Sequence, residues 1–191
     1  MTEEFIHIDQ TFEKTIFFGQ KLSNREFDGC VFRHCDFSNT VFSECRFIDC
    51  TFIDCNLAMA KLPATALQTV AFEQCKLLGI RFDEALDFLF GVHFTDCILD
   101  YSWFSRKKMQ KTTFANTSLK GVNFEGCDLT SATFDNCNLE DAVFHETILA
   151  GADLTTAYHF RIDPEFNPMK KAKFSVNGIP GLLDKYDIKI E

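Results

Sequence analysis

The chain has no run of about 18 consecutive apolar residues, the length a helix needs to cross a membrane, so no membrane span is expected. Proline is scarce: there are four in 191 residues, and three of them (Pro164, Pro168 and Pro180) fall near the C-terminus. Positive charge is also thin, with 19 Lys and Arg against 28 Asp and Glu, a formal net charge of -9 and a pI of about 5.0. An acidic chain is repelled by phosphate and by anionic lipid. Direct nucleic-acid binding and membrane binding are therefore not expected, and the sign suits a basic protein partner. The first residues, Met1-Thr2-Glu3-Glu4-Phe5, are acidic and carry no apolar stretch of the kind an export signal needs. The expected setting is a reducing cytoplasm with free thiols.

Site motifs are missing as well. No Cys-x-x-Cys spacing occurs, nor a phosphate-cradling glycine-rich loop, nor a Gly-x-Ser-x-Gly nucleophile. The histidines (His7, His34, His93, His145, His159) are scattered; His34 adjoins Cys35, but alternation sends one outward and the other inward. The reading is no catalytic residues, no cofactor and no metal: a protein that works by binding.

What the chain does have is a period. A large apolar residue recurs every five positions from Phe12 to Phe82 and again from Phe94 to Leu154, and 16 of the 23 phenylalanines fall in this series. The position two before each large residue is mostly small. All nine cysteines (30, 35, 45, 50, 55, 75, 97, 127 and 137) occupy that phase, as small apolar fillers of an inward slot. Five matches neither the 3.6 of a helix nor the 2.0 of a plain strand. It matches a coil of four short sides, each giving one large and one small inward residue. Positions 20 apart should then stack, and like does fall on like: Phe12, Phe32, Phe52, Phe72, Phe94, Phe114 and Phe134 make one column once two residues are inserted after Phe82.

Ala152-Asp153-Leu154 and Cys137-Asn138-Leu139 match the consensus Ala-(Asp/Asn)-Leu-x-x, and the pattern resembles the pentapeptide-repeat family over roughly residues 10–156. The resemblance implies an all-β fold, a right-handed quadrilateral parallel β-helix with stacked Phe or Leu inside. The expected division is a β-helix over 1–156, interrupted at 83–93, followed by a C-terminal cap over 157–191. The interruption, Asp83 to Gly91, must bulge, and its apolar residues either tuck under the bulge or protrude as a contact.

Past Thr156 the pentad fails, and Asp163-Pro164 and Asn167-Pro168 are expected to break the coil. Gly178 to Tyr186 reads as a short helix with proline near its first turn, and residues 187–191 alternate like an edge strand. Asp163-Pro164-Glu165, the Leu182-Leu183-Asp184-Lys185 helix and the Ile-rich end resemble the C-terminus of Qnr and microcin-immunity pentapeptide proteins. The large loops of Qnr proteins are absent here, replaced by a two-residue insertion. That resemblance implies a homodimer joined through 174–191, with Leu182, Leu183, Tyr186 and Ile188 in the contact. It also implies a rod that mimics duplex DNA, with DNA gyrase or topoisomerase IV as partner and protection against topoisomerase poisons as the outcome.

Surface charge bears on the partner. Between Lys120 and Arg161 there is no Lys or Arg, while Glu125, Asp128, Asp135, Glu140, Asp141, Glu146 and Asp153 all lie there. These seven carboxylates, read as uncompensated, either present phosphate-like charge or keep the rod soluble. Glu140-Asp141 is expected on a convex surface without a pocket. Arg106-Lys107-Lys108 with Lys111, near Tyr101 and Trp103, forms a basic and aromatic patch that either binds an acidic partner or is a solvated face. The alternative to the topoisomerase reading is a scaffold or regulatory module with an unrelated protein partner.

Overall fold

The structure, a computed structural model, describes residues 5–189. The chain winds as a right-handed coil with four flat walls, and every strand pair in it is parallel. The turn between walls explains the pentad. Two residues after most large inward side chains the backbone enters the left-handed region, as at Asn24 (φ 55°), Asn39 (φ 56°), Asp54 (φ 50°), Asn116 (φ 50°) and Asn136 (φ 50°). Asn and Asp tolerate that region better than other residues with a side chain, and so they recur at the corners.

One wall is a nine-stranded ladder that runs the length of the rod, from Thr11–Glu13 through Val31–Arg33, Thr51–Ile53, Val70–Glu73, Val92–Thr95, Thr113–Ala115 and Thr133–Asp135 to Asp153–Leu154 and Lys173–Phe174. A second wall starts as Ile6–Ile8, Glu26–Asp28, Arg46–Ile48 and Ala66–Gln68. Shorter bridges complete the other two, for example Ile98↔Ser118↔Asn138↔Tyr158 and Trp103↔Asn123↔Val143. The register is 20 residues on either side of the interruption (Phe52↔Phe72, Phe94↔Phe114) and 22 across it (Phe72↔Phe94).

The interior is the stack of large residues. Phe94, Phe114 and Phe134 lie parallel at centroid spacings of 5.3 and 4.9 Å, and the neighbouring column Phe82, Phe104, Phe124 and Phe144 stacks at 4.5, 5.6 and 5.3 Å. Rings from these two opposite walls meet edge to face across the interior, as Phe114 and Phe124 do at 5.9 Å. Each such side chain contributes about 1.5–3 kcal/mol by burial alone, and stacked coils support one another as nearest neighbours.

The small slot does more than fill space. Its side chain donates to the carbonyl of the large residue in the coil below: Cys55 Sγ to Phe32 O at 3.4 Å, Thr40 Oγ1 to Phe17 O at 2.7 Å, Ser102 Oγ to Leu77 O at 2.7 Å and Thr147 Oγ1 to Phe124 O at 2.8 Å. Cys, Thr and Ser share the slot because each combines small volume with a donor.

The coil does not stop at Thr156: ladder pairing lapses at Asp163-Pro164, on the wall of Asn123 and Val143, and resumes at Pro168. Tyr158 bridges to Asn138, the Leu149 amide donates to Pro168 O at 2.7 Å, and Lys173–Phe174 pairs with Asp153–Leu154. The inward slot keeps its phase through buried Ala157, Ile162 and Asn167, and the Asn167 amide donates to Phe144 O at 3.2 Å as a Cys or Thr does elsewhere. Beyond Phe174 the tail folds back over the last coil, with a helix at Pro180–Leu183 and a 3-10 turn at Asp184–Tyr186. Phe160 fixes it: a Cβ on Gly181 would lie 2.1 Å from Phe160 O, so only glycine permits the approach. Residues 187–189 form no strand; Ile190 and Glu191, the rest of the expected edge strand, lie outside the described residues.

Candidate functional site

The seven carboxylates are carried on two neighbouring coils and spread over all four walls. Asp135 and Asp153 stand on the nine-stranded wall, Glu140 and Asp141 on the wall of Asn138, Glu125 and Glu146 on the wall of Asn123 and Val143, and Asp128 on the last, bridged to Ile148. None is buried, and they do not converge.

Two of them are compensated. Lys120 Nζ lies 2.9 Å from Glu140 Oε2, and Lys173 Nζ lies 3.1 Å from Asp153 Oδ2. Both cations sit 20 residues from their partners, outside the cation-free stretch in sequence but one coil away in space. The Lys120 ammonium, by hydrogen bond and charge, holds the Glu140 carboxyl below its usual range. Asp153 is lowered first by bonds from Thr155 and then by Lys173. At Asp128 partial burial pushes the other way, but bonds from Thr130 and Gln110 and the charge of Lys108 outweigh it and leave the group lowered. Glu125, Asp128, Asp135, Asp141 and Glu146 have no ion pair among the described residues.

Glu140 and Asp141 are not on a convex surface. The folded-back tail turns their wall into an open groove lined also by His159, Phe160, Arg161, Pro180 and Asp184. The groove does not make Glu140 a proton donor, since its carboxyl is stabilised in the charged form.

The basic patch loses a member. Lys107 is 2% exposed and occupies an inward slot, while Arg106, Lys108 and Lys111 remain at the surface with Tyr101 and Trp103. Phase decides this: Lys107 stands two before Met109 and so points inward despite its charge. Trp103 lies under the Arg81 guanidinium at 4.9 Å.

In the tail, Leu182 packs against the end of the core and Leu183 is half-buried. Tyr186 and Ile188 face outward, with Tyr186 Oη 3.1 Å from Glu165 Oε1. Lys185 clamps the fold-back between Asp163 Oδ1 and Glu165 Oε2, both at 2.8 Å. Val176 and Ile179 are also exposed and were not singled out in the sequence, where nothing distinguishes them from the buried apolar residues of the tail. Among the described residues no group of three His, Cys, Asp or Glu side chains is placed to hold a metal ion, and no helix is long and apolar enough to cross a membrane.

This geometry can be set beside known proteins. The family model described as a pentapeptide repeat region matches residues 25–86 and 88–157. The chain belongs to the pentapeptide-repeat family. The two matched stretches meet at the interruption, and the model ends where the pentad composition ends rather than where the coil does. No curated protein matches the sequence. Among solved structures, QnrB1, a plasmid-mediated fluoroquinolone resistance protein, is similar in fold. A trypsin-treated variant aligns with a TM-score of 0.75 at 17% identity over 98% of this chain and 99% of that one. Full-length QnrB1 aligns at 0.62 and 19% identity over 96% and 100%. At such identities the likeness is one of architecture.

Proposed function

We propose that this pentapeptide-repeat protein is a non-enzymatic, cytoplasmic binding rod whose partner is a type II topoisomerase, DNA gyrase or topoisomerase IV, and that binding protects the enzyme from poisons such as quinolone-like drugs or peptide toxins. The observation that carries this reading is the set of five carboxylates without ion pairs among the described residues, which surrounds two adjacent coils of the rod with negative charge that a DNA-binding surface can meet. The likeness in fold to QnrB1 over nearly the whole chain supports it. The test is a gyrase supercoiling and drug-induced cleavage assay with the purified protein added. The expected result is a change in supercoiling or a loss of drug-stabilised cleavage. No effect on either would remove the topoisomerase reading.

A second reading, a scaffold or regulatory module with an unrelated protein partner, is favoured by one observation: the carboxylates occupy four walls rather than one continuous groove. Replacing Asp141 and Glu146 with Lys tests whether the carboxylates lead binding to a topoisomerase. Both are exposed corner residues (φ 57° and 53°), and Lys occupies the same kind of corner at Lys14 (φ 50°) and Lys111 (φ 62°), so the variant is expected to melt like the parent. A topoisomerase effect that survives this reversal would rule out carboxylate-led binding.

The proposal includes a homodimer through residues 174–191. Val176, Ile179, Tyr186 and Ile188 are each exposed in the tail, and a two-fold contact that covers them buries them in both copies at once. Light scattering is expected to give twice the monomer mass of 21.9 kDa, and truncation before Ser175 to reduce it to the monomer. A monomer at micromolar concentration would contradict this.

A further inference from the structure

The slot column at one corner of the coil reads Arg25, half-buried in the first coil, then Cys45, Thr65, Ala85, Lys107, Cys127, Thr147 and Asn167. Lysine is an outlier in a position built for small side chains. Its ammonium reaches back one coil, donating to Ala85 O and, at 2.6 Å, to Asp87 Oδ1, and stands 5.2 Å from the centroid of the Phe90 ring. Ala85 below it leaves the room a longer side chain would fill. Its partners all belong to the interruption, so the fully buried cation of the column and the inserted segment of the coil meet in space.

The loop has little else to hold it. Its ends are tied by Leu86 N to Thr65 O (2.8 Å) and Gly91 N to Leu67 O (2.9 Å), and within it the backbone bond is Phe90 N to Asp87 O at a long 3.3 Å. Ala85 and Phe90 tuck against the core, whereas Leu86, Phe88 and Leu89 stand in solvent at 45, 72 and 64% exposure. An apolar tip left to itself would collapse onto the coil.

We propose that Lys107 is an internal latch that holds the 85–91 loop in one conformation and keeps its apolar tip standing off the rod. The lysine stem lies in the apolar slot and its head reaches the polar base of the loop. The inserted loop and the lysine depend on each other. Without Lys107, Ala85 O and Asp87 lose their donor. Without the loop, Lys107 is an unpaired ammonium inside the coil, which is strongly destabilising. The device is a property of this chain alone and holds whatever the partner is.

The test uses the full-length protein. In Lys107→Met and Lys107→Ala, chymotryptic cleavage after Phe88 or Leu89 and amide exchange at 86–91 are expected to rise about tenfold or more, the scale set by losing bonds to a charged donor. The far-ultraviolet spectrum should stay that of the parent. Asp87→Asn, at a side chain 80% exposed and so safe for folding, should give a smaller rise of the same kind. Deleting Phe88 and Leu89 returns the coil to a 20-residue repeat. That deletion is expected to lower the melting temperature, and adding Lys107→Ala to it to restore most of the loss. Cleavage and exchange within about twofold of the parent in all three point variants, or no rescue of the deletion by Lys107→Ala, would overturn the latch.

Discussion

Phe114→Asp is expected to abolish the folded state. Phe114 is fully buried, parallel to Phe94 and Phe134 at 5.3 and 4.9 Å and edge-on to Phe124 at 5.9 Å. A carboxylate there has no donor to meet and no water, and burying it unpaired costs several kcal/mol, a large part of the roughly 5–15 kcal/mol that holds a domain together. The damage is not local, since each coil is stabilised by the two beside it. Truncation to Ala keeps the site apolar and is expected to cost about 3–5 kcal/mol, as for other buried aromatics. Urea melts followed by circular dichroism measure both. A native β spectrum and an unchanged midpoint for Phe114→Asp would be incompatible with the stacked interior.

The second large effect concerns the thiols. All nine cysteines are free and no more than 2% exposed. Native protein is therefore expected to react with a thiol reagent orders of magnitude more slowly than denatured protein, and rapid labelling of several thiols without denaturant would contradict the inward slot. Alkali reads the same burial as stability. Burial pushes Cys50, Cys127 and Cys137 from 9.0 up to about 12. Above pH 9 the unfolded chain releases these protons while the folded chain keeps them, so unfolding is favoured as pH rises. Their contribution is whole below pH 9 and is lost progressively between 9 and about 12. The midpoint of the urea melt should fall steadily over that window, and replacing Cys127 by Ala should flatten the fall.

The interior was legible because its signal is periodic. Phe12 to Phe134 at fixed spacing fixes the wall, the column and the 20-residue turn without reference to neighbours. What escaped is what periodicity leaves unstated. The charge of Lys107 suggests a surface run with Arg106 and Lys108, whereas its phase places it inside. Glu140 and Asp153 looked uncompensated because Lys120 and Lys173 are distant in sequence, yet the 20-residue stack brings each pair together. The last coil was hidden by composition: Pro164 stands where a large residue is expected, while Ala157, Ile162 and Asn167 keep the slot phase that carries the chain to Phe174. Alternation over residues 187–191 predicts a strand, but residues 187–189 form none after the 3-10 turn, and Ile190 and Glu191 lie outside the described residues.

In the proposed function the carboxylates of the last coils lead binding to a type II topoisomerase. The most direct test is a binding titration of the purified protein against DNA gyrase at several salt concentrations, run in parallel with Asp141→Lys/Glu146→Lys. At 0.1 M salt exposed charges are screened over about 10 Å, and charge complementarity acts mainly on encounter. The expected result is saturable binding that weakens steadily as salt rises and is weaker still for the double variant at every salt concentration. Absence of binding at low salt, or binding equally strong at all salt concentrations and in the double variant, would contradict it.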